Sequence, residues 1–176
     1  LSCKPAPIAE DTMPPEETSC NGLDELCSER FDQVLFPATH NSMSSAEDEW
    51  SFPNHSFNIT TQLGDGIRGL NLDTHLWNEE AYLCHSYCDL GNMKLVDGFS
   101  QIEEFLTKNP RNVLIITFQS AISAEDTMMA FEESNLGSRL YHHELGTEWP
   151  ILETLIAQET QVIAFSSNDG GALDGY

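Results

Sequence analysis

With 176 residues, 40% of them hydrophobic, the chain is long enough for one ordinary domain with a real core and too apolar for a disordered one. Its 29 acidic residues against 7 basic ones leave a net charge of −22, a field that repels nucleic acid and anionic bilayers. No apolar run approaches the roughly 20 residues of a membrane span, and no signal-peptide pattern opens at Leu1, so an exported protein would already have shed its leader.

Leu1 to Ser19 is rich in Pro, Glu and Thr and reads as a flexible acidic arm, and residues 20–176 as the folded part. Cys20 to Arg30 is a turn-rich lead-in. Phe31 to Thr39 reads as the first strand. Asn41 to Thr60 is polar with scattered aromatics, and a loop of that length is expected to be functional. Thr61 to Gly66 reads as the end of a short helix stopped by Gly64 and Gly66. Ile67 to Leu72 is the second strand and Ala81 to Cys84 the third.

From Leu95 to Lys108 the apolar residues Phe99, Ile102, Phe105 and Leu106 recur at helical spacing, and Asn109-Pro110 ends the helix. Val113 to Phe118 is a continuous apolar run, as expected of a strand buried on both faces. Ser123-Ala124-Glu125-Asp126 is a capping-box start for a helix to about Ser134. A further helix spans roughly Pro150 to Gln158, and Gln161 to Phe165 is the fifth strand. Strands alternating with helices imply a parallel α/β sheet with right-handed crossovers. Five strands do not close an eight-stranded barrel. Either the sheet is small and open, or it is the front of a barrel completed by further polypeptide.

Five cysteines are present. Cys20 with Cys27 and Cys84 with Cys88 are each spaced for a local disulfide, which places the protein in an oxidising compartment. Zinc is the weaker alternative, since neither pair has the usual two-residue spacing. Cys3 is left over. Asn54-His55-Ser56 and Asn58-Ile59-Thr60 are glycosylation sequons, with Asn54 and Asn58 as acceptors, and fit export.

The chemistry is expected where the strands end. His40-Asn41 follows the first strand, Asp73-Thr74-His75 the second and His85 the third. In a parallel barrel such tips share one face, and that face carries the site. His40 and His85 are a candidate acid/base pair, because histidine titrates near neutrality. Asn41 and Asp73 offer oxygen ligands to a hard divalent cation. Asn71, Asp73 and His75 alternate, so an extended strand points them to one side. His75 is a candidate substrate contact or a neighbour of Trp77, and Arg68 on the same strand is grouped with it as a substrate contact. His142-His143 has no acidic strand-end partner and reads as surface.

CNGLDELC, FPATHNSMS, QLGDGIRGLNLDTH, LCHSYCDLG and FLTKNPRNVLIITF together resemble the phosphatidylinositol phospholipase C X-domain-like phosphodiesterases, and most closely their secreted, disulfide-containing group. The resemblance runs from about Cys20 to the end. It implies the amino-terminal part, about five strands, of a TIM-type (β/α) barrel with its site at the C-terminal strand ends. It implies that His40 is the general base and His85 the general acid in cleaving a phosphodiester, either a lipid headgroup or a soluble diester.

In calcium-dependent members of that family, metal ligands stand at the positions of Asn41, Asn71, Asp73 and Gln119. Ca2+ or Mg2+ is therefore the implied cofactor. Here Asn71 and Gln119 stand where acidic ligands are common, and a single carboxylate weakens such a site. The rival expectation is a non-catalytic secreted glycoprotein module that keeps the fold.

Overall fold

The computed structural model describes residues 18–166. Most of the expected acidic arm, Cys3 and the GGALDGY end lie outside them. The described residues form a mixed α/β layer structure around one sheet. Its strands are β1 (Ala38–Thr39), β2 (Gly69–Trp77), β3 (Glu80–Leu83), β4 (Met93–Lys94), β5 (Leu114–Ser120) and β6 (Val162–Ser166). The helices are α1 (Ile59–Gly64), α2 (Leu95–Lys108), α3 (Ala124–Glu133) and α4 (Leu152–Ala157). Strand order is β4-β3-β2-β5-β6, with β1 also on β2.

β1, β2, β5 and β6 run parallel, as the strand–helix alternation predicts. β3 and β4 do not. Trp77-Asn78-Glu79-Glu80 is a two-residue hairpin, with Asn78 and Glu79 both at left-handed φ (51° and 67°), and β3 returns antiparallel along β2. Too few residues separate β2 from β3 for a parallel crossover, which needs a dozen or more. The expected first strand also shrinks to Ala38–Thr39. Phe31–Gln33 is instead a 3-10 turn whose Phe31 is buried against Phe36 and Trp149.

The sheet's two faces follow the period of two. Leu70, Leu72, Leu114, Ile116, Phe118 and Val162 face α2 and α3 and form the larger core. α2 contributes Phe99, Ile102, Phe105 and Leu106, the stripe its spacing predicts, together with Leu95, and Phe99 stacks on Phe131 of α3 at 4.2 Å. Each such fully buried side chain contributes about 1.5–3 kcal/mol. α3 begins as its sequence foretells: Ser123 Oγ accepts from Asp126 N (3.1 Å) and donates to its carboxylate (2.7 Å).

The opposite face, that of Val113, Ile115 and Ile163, is covered at the N-terminal ends of its strands by Phe31, Leu152, Leu155 and Ile156. Further up the same face the residues turn polar. β2 and β5 pair Asn71 with Thr117 and Asp73 with Gln119. A strand expected to be apolar on both faces is therefore apolar below and polar toward its C-terminal tip. Among the described residues the sheet is open, since β4 and β6 are its two ends. Both disulfides are formed, Cys20–Cys27 and Cys84–Cys88. No helix among the described residues is long and apolar enough to cross a membrane.

Candidate active site

The site lies where β1 and β3 meet along one edge of β2. β1 pairs with Gly69 and Leu70, then the chain leaves the strand at His40. β3 comes down from the hairpin, pairs with β2 as far as Thr74, and leaves at Cys84. The two segments arrive from opposite directions beside Asn71–Asp73. Ser42 N donates to the Asn71 carbonyl (2.9 Å) on one side, and Cys84 N donates to the Asp73 carbonyl (3.1 Å) on the other. His40 and His85 are thus both brought beside Asn71–Asp73, His85 by an antiparallel return rather than from a third parallel tip.

Asn41 links the parts. It is buried and sits at φ 53°, a left-handed conformation that asparagine tolerates better than most residues. Its backbone N–H donates to Asn71 Oδ1 (3.3 Å). With its amide turned so that each atom meets a complementary partner, Asn41 donates to both Asp73 oxygens (3.2 and 3.3 Å) and accepts from His85 Nε2 (3.2 Å). In that orientation His85 Nε2 is the donor and the Asn41 oxygen the acceptor.

Asp73 is only 8% exposed. Burial pushes its carboxyl above the ordinary aspartate value, and His85, His40 and His75 pull it back down, in that order. All three histidines therefore lie within electrostatic reach of one buried carboxylate. Gln119 stands exposed beside Asp73 in register on β5.

Asn71 lies one layer below. Its amide nitrogen donates to the Thr117 carbonyl and hydroxyl (both 3.3 Å), and its oxygen already accepts from Asn41 N. This arrangement does not fit a tightly held hard divalent cation. One carboxylate serves the whole set, and the Asn71 oxygen is already committed to the Asn41 N–H.

Arg68 is placed away from this cluster, at the N-terminal end of β2. Its guanidinium bonds Asn112 Oδ1 (2.8 Å) and the carbonyls of Leu63 and Ile67 (2.7 and 2.8 Å), and lies 5.2 Å from the Phe105 ring centroid. That is a structural role, and the charge alone could not reveal it. Of the two sequon asparagines, Asn54 is exposed, while Asn58 caps α1 by accepting from Thr61 N (2.9 Å). Of His142-His143, His142 is exposed, but His143 stacks on Trp149 at 3.7 Å.

The sequence alone gives no reason to single out two other groups. Gln62 is buried and holds the His40–Ser42 turn from below: its amide donates to the Ser42 and Phe57 carbonyls (both 2.8 Å), and its oxygen accepts from Thr39 Oγ1 (2.6 Å). Beside His85, Trp50, Phe52, Tyr87 and Leu90 line a half-open pocket of about 230 Å³. Its wall is close-packed, because Gly91 lies where any Cβ would meet the Trp50 ring at 2.5 Å.

The chain resembles solved phospholipase C structures in fold. It superposes on the phosphatidylinositol-specific phospholipase C of Listeria monocytogenes with a TM-score of 0.60 at 15% identity, covering 81% of this chain and 54% of that one. It superposes on PLC21 of S. officinalis at 0.62 and 16% identity, covering 88% of this chain and 20% of that one. Among curated proteins it is 29% identical over 170 residues to an uncharacterized secreted protein of Arthroderma benhamiae. It is 24% identical over 155 residues to a PI-PLC X domain-containing protein of Arabidopsis thaliana. The chain spans 38% and 36% of the lengths of these two relatives. Residues 26–172 match the PI-PLC X family model, and with the paired histidines, the buried aspartate and the fold already in place, the chain belongs to the PI-PLC X family.

Proposed function

We propose that this face belongs to an extracellular phosphoric diester hydrolase that uses His40 and His85. The observation carrying the proposal is the gathering of His40, His75 and His85 around the buried Asp73, with Asn41 bridging Asp73 and His85. The fold, the family and a relative named as secreted support it. The substrate is a diester with a neighbouring hydroxyl. His40 takes the hydroxyl proton, and the oxygen attacks phosphorus as the bond to the leaving oxygen breaks. His85 returns a proton to the leaving alkoxide, so the products are a cyclic diester and a free alcohol. Asp73 offsets the positive charge that each imidazole carries in turn.

In this proposal His75, on the same side of β2 as Asp73, contacts the phosphate. The six arginines and lysines among the described residues are engaged elsewhere: Arg30, Lys94, Lys108, Arg111 and Arg139 with carboxylates, and Arg68 with Asn112. That same feature favours a second reading, a secreted module that binds a diester without turning it over. The apolar pocket beside His85 suits a leaving alcohol with a hydrophobic part. A net charge of −22 favours a soluble diester or one on a neutral surface over one in an anionic bilayer. Further polypeptide or a partner chain is proposed to complete the sheet.

The test is turnover of a fluorogenic phosphodiester that carries an adjacent hydroxyl, using the full natural polypeptide. His40→Ala and His85→Ala should each lower kcat by about 10²–10⁴-fold. Addition of EDTA should leave the rate unchanged, since the chemistry proposed needs no cation. Undiminished turnover in either histidine variant would sink the acid/base pair. Binding of the diester without turnover in the parent protein would favour the second reading.

A further inference from the structure

The left-handed turn at Asn41 is held from outside by a residue with no assigned role. His55 Nε2 lies 2.6 Å from the carbonyl oxygen of His40. A carbonyl only accepts, so Nε2 carries the hydrogen and donates it. His55 is itself fixed. Its N–H donates to the Ser44 carbonyl (3.0 Å), and its own carbonyl accepts from Ala46 N (2.8 Å), a short strand-like bridge between the two arms of the long loop. The His55 ring thus spans back from residue 55 to residue 40 and grips the peptide that joins His40 to Asn41.

That peptide matters more than its neighbours. On one side of it stands the His40 side chain. On the other, Asn41 at φ 53° carries the amide that touches Asp73 and His85. Its N–H points to Asn71 Oδ1 (3.3 Å) and its C=O to His55, so both polar groups of one peptide are fixed by side chains from different parts of the chain. Rotation of this plane would swing His40 and Asn41 together.

We propose that His55 is a positioning residue: by donating to the His40 carbonyl it locks the His40–Asn41 peptide, and so sets both the imidazole of His40 and the Asn41 bridge between Asp73 and His85. It does not touch substrate and carries no proton for the reaction. The positioning of the site for diester cleavage rests on the function proposed above, whereas the peptide lock itself does not.

The experiment separates the two. His55→Leu removes the donor at similar bulk, and His55→Gln restores an N–H donor on a side chain of comparable reach. In the full polypeptide with its disulfides formed, amide exchange at Asn41 should quicken at least about tenfold in His55→Leu, because a freed peptide breaks its bond to Asn71. Exchange along β2 and β5 should not change, and His55→Gln should exchange as the parent does.

With a fluorogenic diester, kcat should fall about 10–100-fold in His55→Leu with KM within about threefold, as expected when alignment and not binding is lost. His55→Gln should recover most of that loss. Unchanged Asn41 exchange in His55→Leu overturns the lock, whatever the activity. Faster exchange throughout the sheet overturns it too, since His55 would then be supporting the fold at large. If the parent shows no turnover, the function proposed above fails while local quickening at Asn41 still upholds the lock. If turnover is present and His55→Leu matches the parent, the positioning role fails while the two-histidine chemistry stands.

Discussion

Asp73 is the residue on which the site's electrostatics turn. Burial raises its carboxyl above the ordinary value of about 3.9. Below that ordinary value both the native and the unfolded chain hold the proton, and the contribution to stability is fully present. As pH rises past it the unfolded chain releases its proton while the native one keeps it, so stability falls until the native carboxyl also ionises. An Asp73→Asn variant cannot ionise, and its amide oxygen can still accept from Asn41. Urea midpoints taken across the acidic range should therefore show the parent losing stability relative to Asp73→Asn as pH rises through this window, and turnover should be lost. Parallel profiles for the two proteins would show that burial does not govern this carboxyl. The residue types at the site were legible in the sequence, because His, Asn and Asp at the ends of apolar runs have few structural reasons to be there. The role of Arg68 was not, since a charge near a strand looks the same whether it faces a cleft or a helix's last carbonyls.

At the scale of elements, the approach of β1 to β2 sets where His40 stands. Gly69 faces Ala38 so closely that a Cβ there would lie 2.7 Å from the Ala38 Cβ and 3.3 Å from its Cα. Neither atom can yield without moving the strand. Gly69→Ala should therefore cost about 1–3 kcal/mol in a urea titration, the usual range for overpacking. It should also lower turnover, because β1 would carry His40 with it; a cost below about 0.5 kcal/mol would mean that β1 adapts freely. α2 was read correctly from its apolar stripe over Leu95–Lys108, and α3 from its cap. β3 was found but its direction was not. The short span between β2 and β3 already excludes a parallel crossover; the hairpin went unseen because neither Asn78 nor Glu79, both at left-handed φ, is a glycine that would advertise it.

At the largest scale, the decisive feature of the described residues is the open sheet. β6 lies at its end, and Phe165 on it is 42% exposed. Among the described residues its far side is met by Leu140–Tyr141 at Val162. An open parallel edge that exposes an aromatic side chain favours association. Residues 1–176 expressed alone should elute from gel filtration as oligomers or aggregates, and their β6 amides should exchange faster than those of β2. A monodisperse monomer with a protected β6 would show that the sheet is stable without further strands. The excess of acidic groups acts at this scale as well, slowing association through like-charge repulsion, so oligomers should grow with added salt.

By itself the sequence determined the family, the two disulfides, the amphipathic helices and the identity of the groups at the strand ends. Each of these is written in short-range spacing: paired cysteines a few residues apart, a period of 3.6, polar residues that close an apolar run. Only the tertiary structure decided that β1 and β3 meet head-on beside Asn71–Asp73, that Asn41 joins Asp73 to His85, and that His55 and Gln62 hold the turn between them. Those contacts bring together residues from the long loop, the short helix and three strands. No local pattern encodes them, because a hydrogen bond across such a separation depends on where the packed sheet puts both ends.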